Sequence, residues 1–170
     1  MLRAEYRVVG EQAAGAQRWA ARNNGIMIHG QSPETMRLDQ AFPVSAEVQL
    51  LGGNGTDPSP TGSLCTPGTH VVLGGKLDQR HCINSNSATF AGDQWVTVEV
   101  EVHGSGQVRH KINGEVVLEY RQIQYDPGDA DAKKLMGDGE KLISSGTISI
   151  QAESHPFEFR KIELRRLATR

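Results

Sequence analysis

The strongest structural signal in this sequence is strict alternation of apolar and polar residues in the middle of the chain. From Trp95 to Val102 every second residue is a valine, and polar residues occupy the positions between. Further on, residues 107–112 and 115–120 flank the pair Asn113-Gly114. An Asn-Gly pair between two alternating segments favours a two-residue β-hairpin turn. The stretch therefore predicts a three-stranded meander over residues 95–120 with one buried face.

The rest of the chain alternates in the same way, and helical periodicity is nearly absent. The further predicted strands are 2–8, 26–29, 44–51, 70–73, 146–152 and 157–166. Together with the meander these make about nine strands, a number typical of a two-layer sandwich. One short helix is predicted over residues 129–135, and Gly137 ends it. We expect a single all-β domain over residues 1–170, with two antiparallel sheets.

Composition excludes several classes of partner. The 170 residues carry 18 Lys and Arg against 20 Asp and Glu, for a formal charge of −2, and no basic block is present. Nucleic acid and anionic membrane surfaces are therefore not expected as partners. No apolar run approaches the roughly 20 residues that cross a bilayer, so we expect no membrane insertion.

The two cysteines leave two interpretations open. Cys65 and Cys82 are 17 residues apart, without the close Cys or His spacing of a structural zinc site. They form either a disulfide or two reduced, buried thiols. Residues 52–62 are rich in Gly, Pro and Ser, which predicts a long loop.

The predicted strands place hydrogen-bonding side chains opposite their apolar faces. Glu47 and Gln49 alternate with Val48 and its apolar neighbours, and therefore share the other face of their strand. In residues 26–29, Ile26 and Ile28 are expected to face the core. That orientation leaves His29 on the same face as Met27.

A third strand contributes to the same cluster. With Ile148 and Ile150 facing the core, Gln151 and Glu153 lie opposite, followed by His155. If the three strands are neighbours, the carboxylates, imidazoles and amides converge in one groove. Such a cluster suits proton transfer or the binding of sugar hydroxyls. The alternative is an ordinary solvated sheet face.

Two further possibilities concern loop residues and metal. Arg80 and His81 precede Cys82, so a disulfide would carry them to the edge of the sheet as a catalytic group or substrate clamp. A site for a divalent metal ion is a further hypothesis, although its candidate ligands lack close spacing in the sequence. These candidates are His29, Glu47, His81 and His155.

Five segments in order resemble a known family over nearly the whole chain. They are Asn24-Gly25-Ile26-Met27-Ile28-His29-Gly30, Ser45-Ala46-Glu47-Val48-Gln49-Leu50-Leu51-Gly52, Gly92-Asp93-Gln94-Trp95-Val96-Thr97-Val98-Glu99-Val100, His110-Lys111-Ile112-Asn113-Gly114-Glu115-Val116-Val117, and Ile148-Ser149-Ile150-Gln151 through His155-Pro156-Phe157-Glu158-Phe159-Arg160-Lys161-Ile162. The chain resembles the 3-keto-disaccharide hydrolase domain family. The resemblance implies a concanavalin A-like jelly roll.

The same resemblance implies an enzyme that cleaves glycosides whose sugar is oxidised to a ketone at C3. A C3 ketone acidifies the C2 hydrogen, so a base can remove it and the C1 substituent can leave by β-elimination. Water can then add to give net hydrolysis. Such a site needs a base, a stabiliser for the enolate oxygen and an acid for the leaving group.

Roles in that chemistry are assigned as hypotheses. Glu47 or His155 is the base, and His29 and His81 are candidates for the acid or a metal ligand. The expected substrate-binding residues orient hydroxyls or stabilise the enolate. They are Gln49, Gln151, Glu153, His81 and Arg160.

The sequence departs from the family pattern in two places. Members commonly carry an export signal and an opening strand with a Gly-Trp element, so either the start is truncated here or an edge of the sandwich is missing. Many relatives read Gln-Asp-His-Gly before the last strand, where this chain has Gln151-Ala152-Glu153-Ser154-His155.

Another enzyme class on this fold is disfavoured. Retaining glucanases use a Glu-x-Asp-x-x-Glu strand, whereas residues 47–52 carry only the first acid of that pattern.

Two other functions remain open, because a fold does not fix a function. One is a non-catalytic, lectin-like carbohydrate-binding module, although exposed aromatic platforms are scarce. The other is a structural or adhesion domain. The resemblance and the candidate disulfide favour a periplasmic or secreted protein.

Overall fold

The computed structural model describes residues 1–167 as two packed antiparallel sheets. The strands are β1 (Leu2–Val8), β2 (Asn23–Gly30), β3 (Ala46–Leu51), β4 (Leu64–Cys65), β5 (Thr69–Leu73), β6 (Lys76–Asp78), β7 (Cys82–Ile83), β8 (Val96–Val102), β9 (Gln107–Ile112), β10 (Glu115–Tyr125), β11 (Thr147–Ile150) and β12 (Phe157–Leu164). One sheet has the order β12-β1-β8-β9-β10-β5-β6, and the other has the order β11-β2-β3-β4-β7. The predicted all-β sandwich is confirmed, and its two antiparallel sheets are consistent with a jelly roll.

All nine predicted strands are present; β1 and β9 have their predicted bounds, and the other seven begin or end at different residues. The meander forms as β8, β9 and β10, and Asn113 and Gly114 have φ values of 51° and 88°. These positive angles are those a type I′ turn requires. Strand β10 continues to Tyr125, five residues beyond the predicted end. The three added strands, β4, β6 and β7, have only two or three residues each and are too short to show alternation.

The short helix α1 (Ala130–Met136) lies within one residue of its predicted bounds. The side chain of Asp129 accepts hydrogen bonds from the backbone N–H groups of Asp131 and Ala132, and so caps the first turn. Gly137 follows the last turn, as predicted. Two single 3₁₀ turns, Arg18–Ala20 and Pro33–Thr35, complete the helical elements of the described residues. No helix in residues 1–167 is long and apolar enough to cross a membrane.

The burial of β11 differs from the prediction. Ile150 is opposite the core residue Ile26 and so faces inward as predicted, but Ile148 and Ile150 are 46% and 37% exposed. Strand β11 is the outermost strand of its sheet, paired only with β2 among the described strands. Apolar side chains on such an outer strand lie beside the opening between the sheets, so alternation alone does not bury them.

Two buried polar side chains cross the core and fix the end of the Gly/Pro-rich loop to the opposite sheet. The hydroxyl groups of Tyr6 and Thr61 lie 2.6 Å apart. His110, with no exposed surface, donates from Nδ1 to the carbonyl of Gly62 at 2.7 Å. The N–H of Gly62 in turn donates to the carbonyl of Gln49 on β3. These hydrogen bonds therefore fix the position of the loop end and of β3 relative to the larger sheet.

Candidate functional site

The site centres on Glu47, in the middle of the five-stranded sheet. Glu47 lies opposite Met27 on β2 and opposite Cys65 on β4. Its strand neighbours Ala46 and Val48 are completely buried in the core, so the Glu47 side chain lies on the outer face. It is nevertheless only 6% exposed. The sheet therefore carries a buried carboxyl group on a face that is normally solvated.

Gly25 on β2 provides the space for this carboxyl group. A Cβ atom at Gly25 would lie 2.7 Å from Cγ of Glu47 and 2.9 Å from Oε1 of Gln151. Both side chains therefore occupy the place that any residue larger than glycine would fill. Glycine inside a strand often marks such a close approach. The glycine at position 25 is visible in the sequence as that signal, but the residue pattern does not show which side chains fill the space beside it.

The environment of Glu47 favours its protonated form. Burial and the negative charge of Glu153 raise the pKa of Glu47 to about 7, and the nearby Gln151 amide offsets part of this rise. Burial also raises the pKa of half-buried Glu153. A carboxyl group with a pKa near neutrality can accept or release a proton at the pH at which most enzymes work.

Unpartnered polar atoms concentrate in the segment that follows β11. Both amide atoms of Gln151, Oε2 of Glu153 and both ring nitrogens of His155 are buried and lack a hydrogen bond of regular geometry within the described residues. The segment lines a cavity of about 620 Å³ together with Asn24 and Phe157. A buried polar group without a partner costs about 1–3 kcal/mol. A ligand rich in hydroxyl groups would remove that cost.

His155 is available as a neutral imidazole. Its side chain is 8% exposed. Burial and the positive charge of Arg22 lower the pKa of His155. The ring is therefore uncharged near pH 7, and one of its nitrogens can accept a proton or a hydrogen bond.

The structure brings four of the other predicted residues close to Glu47 or to this segment. Gln49 lies on the Glu47 face of β3, two residues along the strand, and is half-buried. Gln151, Glu153 and His155 follow the outer strand β11, and the N–H of Gln151 donates to the carbonyl of Gly25. The strand order β11-β2-β3 makes these three strands neighbours, which is the condition on which the predicted groove depended.

His29 is not part of this cluster, contrary to the expectation from alternation. Its φ of 50° breaks the strand pattern and turns the ring toward the other sheet, where Nε2 lies 3.0 Å from the carbonyl oxygen of Gly104. Burial lowers the pKa of His29, and this hydrogen bond opposes the effect. A single left-handed residue near the end of a strand is not visible in periodicity.

Arg160 also lies elsewhere. It belongs to β12 in the seven-stranded sheet, where Nε donates to Oε2 of Glu5 at 2.6 Å. Its guanidinium group stacks 4.0 Å from the ring centre of Trp95. The side chain therefore packs on the sheet opposite Glu47, where it balances the charge of a buried carboxylate.

The disulfide between Cys65 and Cys82 is present. The two residues are directly opposite each other on β4 and β7, and Cys65 is opposite Glu47. Directly opposed residues share a face of the sheet, so the bridge lies next to Glu47 on the outer face. His81, exposed and adjacent to Cys82, lines a separate cavity one residue further along.

The candidate metal ligands are not gathered together. His29 faces Gly104, and His81 lies beyond the disulfide from His155. Within residues 1–167 no group of three or more His, Cys, Asp or Glu side chains is placed to hold a metal ion.

Comparison with known proteins agrees with the resemblance seen in the sequence. A search of the curated proteins gave no match. A family model described as 3-keto-alpha-glucoside-1,2-lyase-like domain matches residues 1–165. The chain therefore belongs to the 3-keto-alpha-glucoside-1,2-lyase-like domain family.

Proposed function

We propose that this protein cleaves 3-keto-glycosides by β-elimination, with Glu47 as the base. The observation that carries the proposal is the buried carboxyl group of Glu47, held over Gly25 beside Gln151 and Glu153. A base that removes a carbon-bound proton needs a pKa near the working pH, a partly dry site and neighbouring hydrogen-bond donors. Glu47 meets each of these requirements.

The reaction balances without an external oxidant or reductant. Glu47 takes the proton from C2, and the electrons of the C–H bond form an enolate stabilised by the C3 ketone. The electron pair then forms the C1–C2 double bond as the C1–O bond breaks. The departing oxygen takes one proton, which leaves an unsaturated keto sugar and an alcohol. Addition of water to the double bond gives the product of net hydrolysis.

The surrounding side chains have matching roles. The Gln151 amide is placed to donate a hydrogen bond to the enolate oxygen or to a hydroxyl group. The carboxyl groups of Glu47 and Glu153 influence each other's protonation, so when the pair holds one proton on Glu153 and Glu47 is ionised, Glu153 is the candidate acid for the leaving oxygen. Gln49 and His155 bind hydroxyl groups at either side. We prefer Glu47 to His155 as the base for two reasons. The Glu47 carboxyl group contacts the Gln151 side chain, and the charge of Glu153 raises the pKa of Glu47.

The test is product analysis on matched substrates. Purified protein is incubated with 4-nitrophenyl 3-keto-α-glucoside and with the unoxidised glucoside, each with and without chelator. We expect nitrophenol from the keto substrate alone, loss of that release in Glu47→Gln, and retention in Glu163→Gln, a matched carboxamide change on an exposed part of β12. Release from the unoxidised glucoside at an equal rate would contradict the elimination.

Binding of the keto sugar without its cleavage would favour the alternative function, a carbohydrate-binding module. Unpartnered amide, carboxylate and imidazole groups also suit a carbohydrate-binding module. If neither glucoside is cleaved but the keto sugar binds, as measured by calorimetry, the lectin-like alternative replaces the enzyme.

The same proposal includes a periplasmic or extracellular location. The disulfide beside the site supports it, because such bonds persist mainly in oxidising compartments. Fractionation of cells that express the native gene would test the location.

A further inference from the structure

The pairing between β2 and β11 changes at the point where the chain reaches Gln151. Ile150 pairs with Ile26 in the regular antiparallel register. One residue further, the N–H of Gln151 donates to the carbonyl of Gly25 at 2.9 Å. In a regular pair that exchanges both hydrogen bonds, the N–H of Gly25 would donate back to the carbonyl of Gln151.

The side chain of Asn24 takes the place of that second bond. The N–H of Gly25 donates to Oδ1 of Asn24 at 2.9 Å. On the other side, Nδ2 of Asn24 donates to the carbonyl of Gln151 at 3.1 Å. One side-chain amide therefore bridges the two backbone groups, and its width sets the separation of the two chain segments. Gln151 is bound to β2 through both its N–H and its carbonyl group.

Asn24 carries this amide on the core face of β2. It lies opposite Leu50, which is completely buried, and directly opposed residues share a face of the sheet. Asn24 itself is only 3% exposed. A residue that served only to fill the core here would be apolar. A buried amide without partners costs about 1–3 kcal/mol, so the two hydrogen bonds fix the orientation of the Asn24 side chain.

The bridge determines where the Gln151 side chain lies. This side chain extends over Gly25, where a Cβ atom would be 2.9 Å from Oε1 of Gln151 and 2.7 Å from Cγ of Glu47. Gln151 also begins the segment that carries Glu153, whose charge acts on Glu47. A change in the separation between Gly25 and Gln151 therefore moves both the Gln151 amide and Glu153 relative to Glu47.

We infer that Asn24 is a positioning residue for the proposed elimination, because its amide holds Gln151 against the Glu47 carboxyl group. The inference rests on the proposed function, since it takes Glu47 as the base and Gln151 as the donor to the substrate. Asn24 acts through Gln151 and not on the reacting atoms. Its loss is therefore expected to lower kcat with little change in KM.

The experiment compares Asn24→Ala with Gln31→Ala. Gln31 is the matched control, because it is a buried amide that follows the other end of β2, and its Oε1 accepts the backbone N–H of Val44 at 3.1 Å. Both variants lose a buried amide, and both are expected to unfold at a lower temperature than the wild type. Only Asn24→Ala is expected to lower kcat for 4-nitrophenyl 3-keto-α-glucoside, by at least about tenfold. Equal kcat values in the two variants would overturn the inference.

A second variant, Asn24→Asp, provides the test if Asn24→Ala does not fold. It keeps the shape of the side chain and the acceptor for the N–H of Gly25, but the ionised carboxylate has no donor for the carbonyl of Gln151. At pH 8 we expect a similar loss of kcat. Wild-type kcat in Asn24→Asp would contradict the bridge to Gln151.

The proton affinity of Glu47 separates failure of the inference from failure of the proposed function. The Glu47 carboxyl carbon is titrated by NMR in the wild type and the two alanine variants, and Glu47→Gln identifies its signal. Release of Gln151 exposes Glu47 and moves Glu153 away. Asn24→Ala is therefore expected to lower the proton affinity of Glu47 at least about tenfold, whereas Gln31→Ala leaves it unchanged.

Two outcomes of this titration distinguish the hypotheses. If the wild type does not cleave the keto substrate but the proton affinity of Glu47 falls in Asn24→Ala alone, the positioning role stands and the proposed reaction fails. If the wild type cleaves the substrate and Asn24→Ala changes neither kcat nor the proton affinity, the positioning role fails and the reaction stands.

Discussion

The Glu47 carboxyl group lies over Gly25, in the space where any other residue would carry its side chain. A Cβ atom at Gly25 would lie 2.7 Å from Cγ of Glu47, a separation that real Cβ atoms essentially never show. The position of the candidate base is therefore set by a residue on the neighbouring strand that has no side chain of its own. This relationship makes the site sensitive to a change of one methyl group.

Gly25→Ala is expected to displace Glu47 and Gln151 and to lower kcat/KM on a 3-keto-glycoside at least about tenfold, because a catalytic base misplaced by an ångström loses much of its effect. Nitrophenol release measures the change, and circular dichroism checks folding. The matched variant is Gly139→Ala, whose added Cβ would meet only the carbonyl oxygen of Met136, at 3.0 Å. Full activity in Gly25→Ala would show that Glu47 need not occupy its observed position.

Glu47→Gln is expected to make the protein more stable above pH 7 while removing activity. The pKa of Glu47 rises from 4.5 to about 7 on folding. The wild type is therefore stabilised by the bound proton at low pH and loses that contribution as the pH rises through 7. The difference is about 3 kcal/mol in the free energy of unfolding, since each tenfold change in proton affinity is worth about 1.4 kcal/mol.

Urea titrations of wild type and Glu47→Gln at pH 4.5 and pH 8 measure this difference, and other titrating groups cancel between the two proteins. If the free energy of unfolding changes equally with pH in the wild type and in Glu47→Gln, the carboxyl group is not held in a low-polarity environment.

His110 is expected to make the fold sensitive to acid. Burial lowers the pKa of His110 to about 4, against the smaller opposing effect of its hydrogen bond to Gly62. A histidine held neutral in this way contributes its full stabilisation at pH values above its ordinary pKa of 6.5. This stabilisation is lost as the pH falls toward 4. The loss is about 3 kcal/mol.

The comparison uses His110→Gln, which keeps a polar group but does not titrate. Denaturation at pH 7 and pH 4.5 should show a steeper decline for the wild type than for the variant. Parallel declines would assign the acid sensitivity to other groups.

Reduction of the Cys65–Cys82 bond is expected to lower stability by about 3 kcal/mol, because the bond closes a 17-residue separation. For a domain of this size, that corresponds to a fall in Tm of roughly 6–12 °C. Calorimetry with and without reductant measures the change, and Cys82→Ser provides a version that cannot re-form the bond. An alkylation experiment that finds both thiols free before reduction would refute the bridge.

Arg160→Ala is expected to leave kcat/KM for a 3-keto-glycoside within about twofold of the wild type, while Gln151→Ala lowers it at least about tenfold. The reason is location, because Arg160 pairs with Glu5 on the other sheet and Gln151 contacts the space around Glu47. Thermal unfolding of Arg160→Ala should occur at a lower temperature, since Glu5 loses its closest cation. A large loss of activity in this variant would place Arg160 in the site after all.

The amino-acid sequence by itself determined the two-layer β architecture, the meander and the short capped helix. These features follow from local rules: Val96 to Val102 alternate, Asn113-Gly114 permits positive φ at both turn positions, and Asp129 can cap its own helix. Alternation also placed Glu47 and Gln49 on one face, because that depends only on the geometry of a single strand.

Only the tertiary structure decided which of those side chains meet. The left-handed backbone at His29 and the membership of Arg160 in the opposite sheet depend on long-range packing, which residue patterns do not record. The exposure of Ile148 depends on the outer position of β11 in its sheet. The proton affinity of Glu47 likewise arises from burial and from Glu153, more than 100 residues away in the chain. Burial and electrostatic interactions between distant segments exist only once the sheets have packed, and for that reason the site chemistry emerges from the fold.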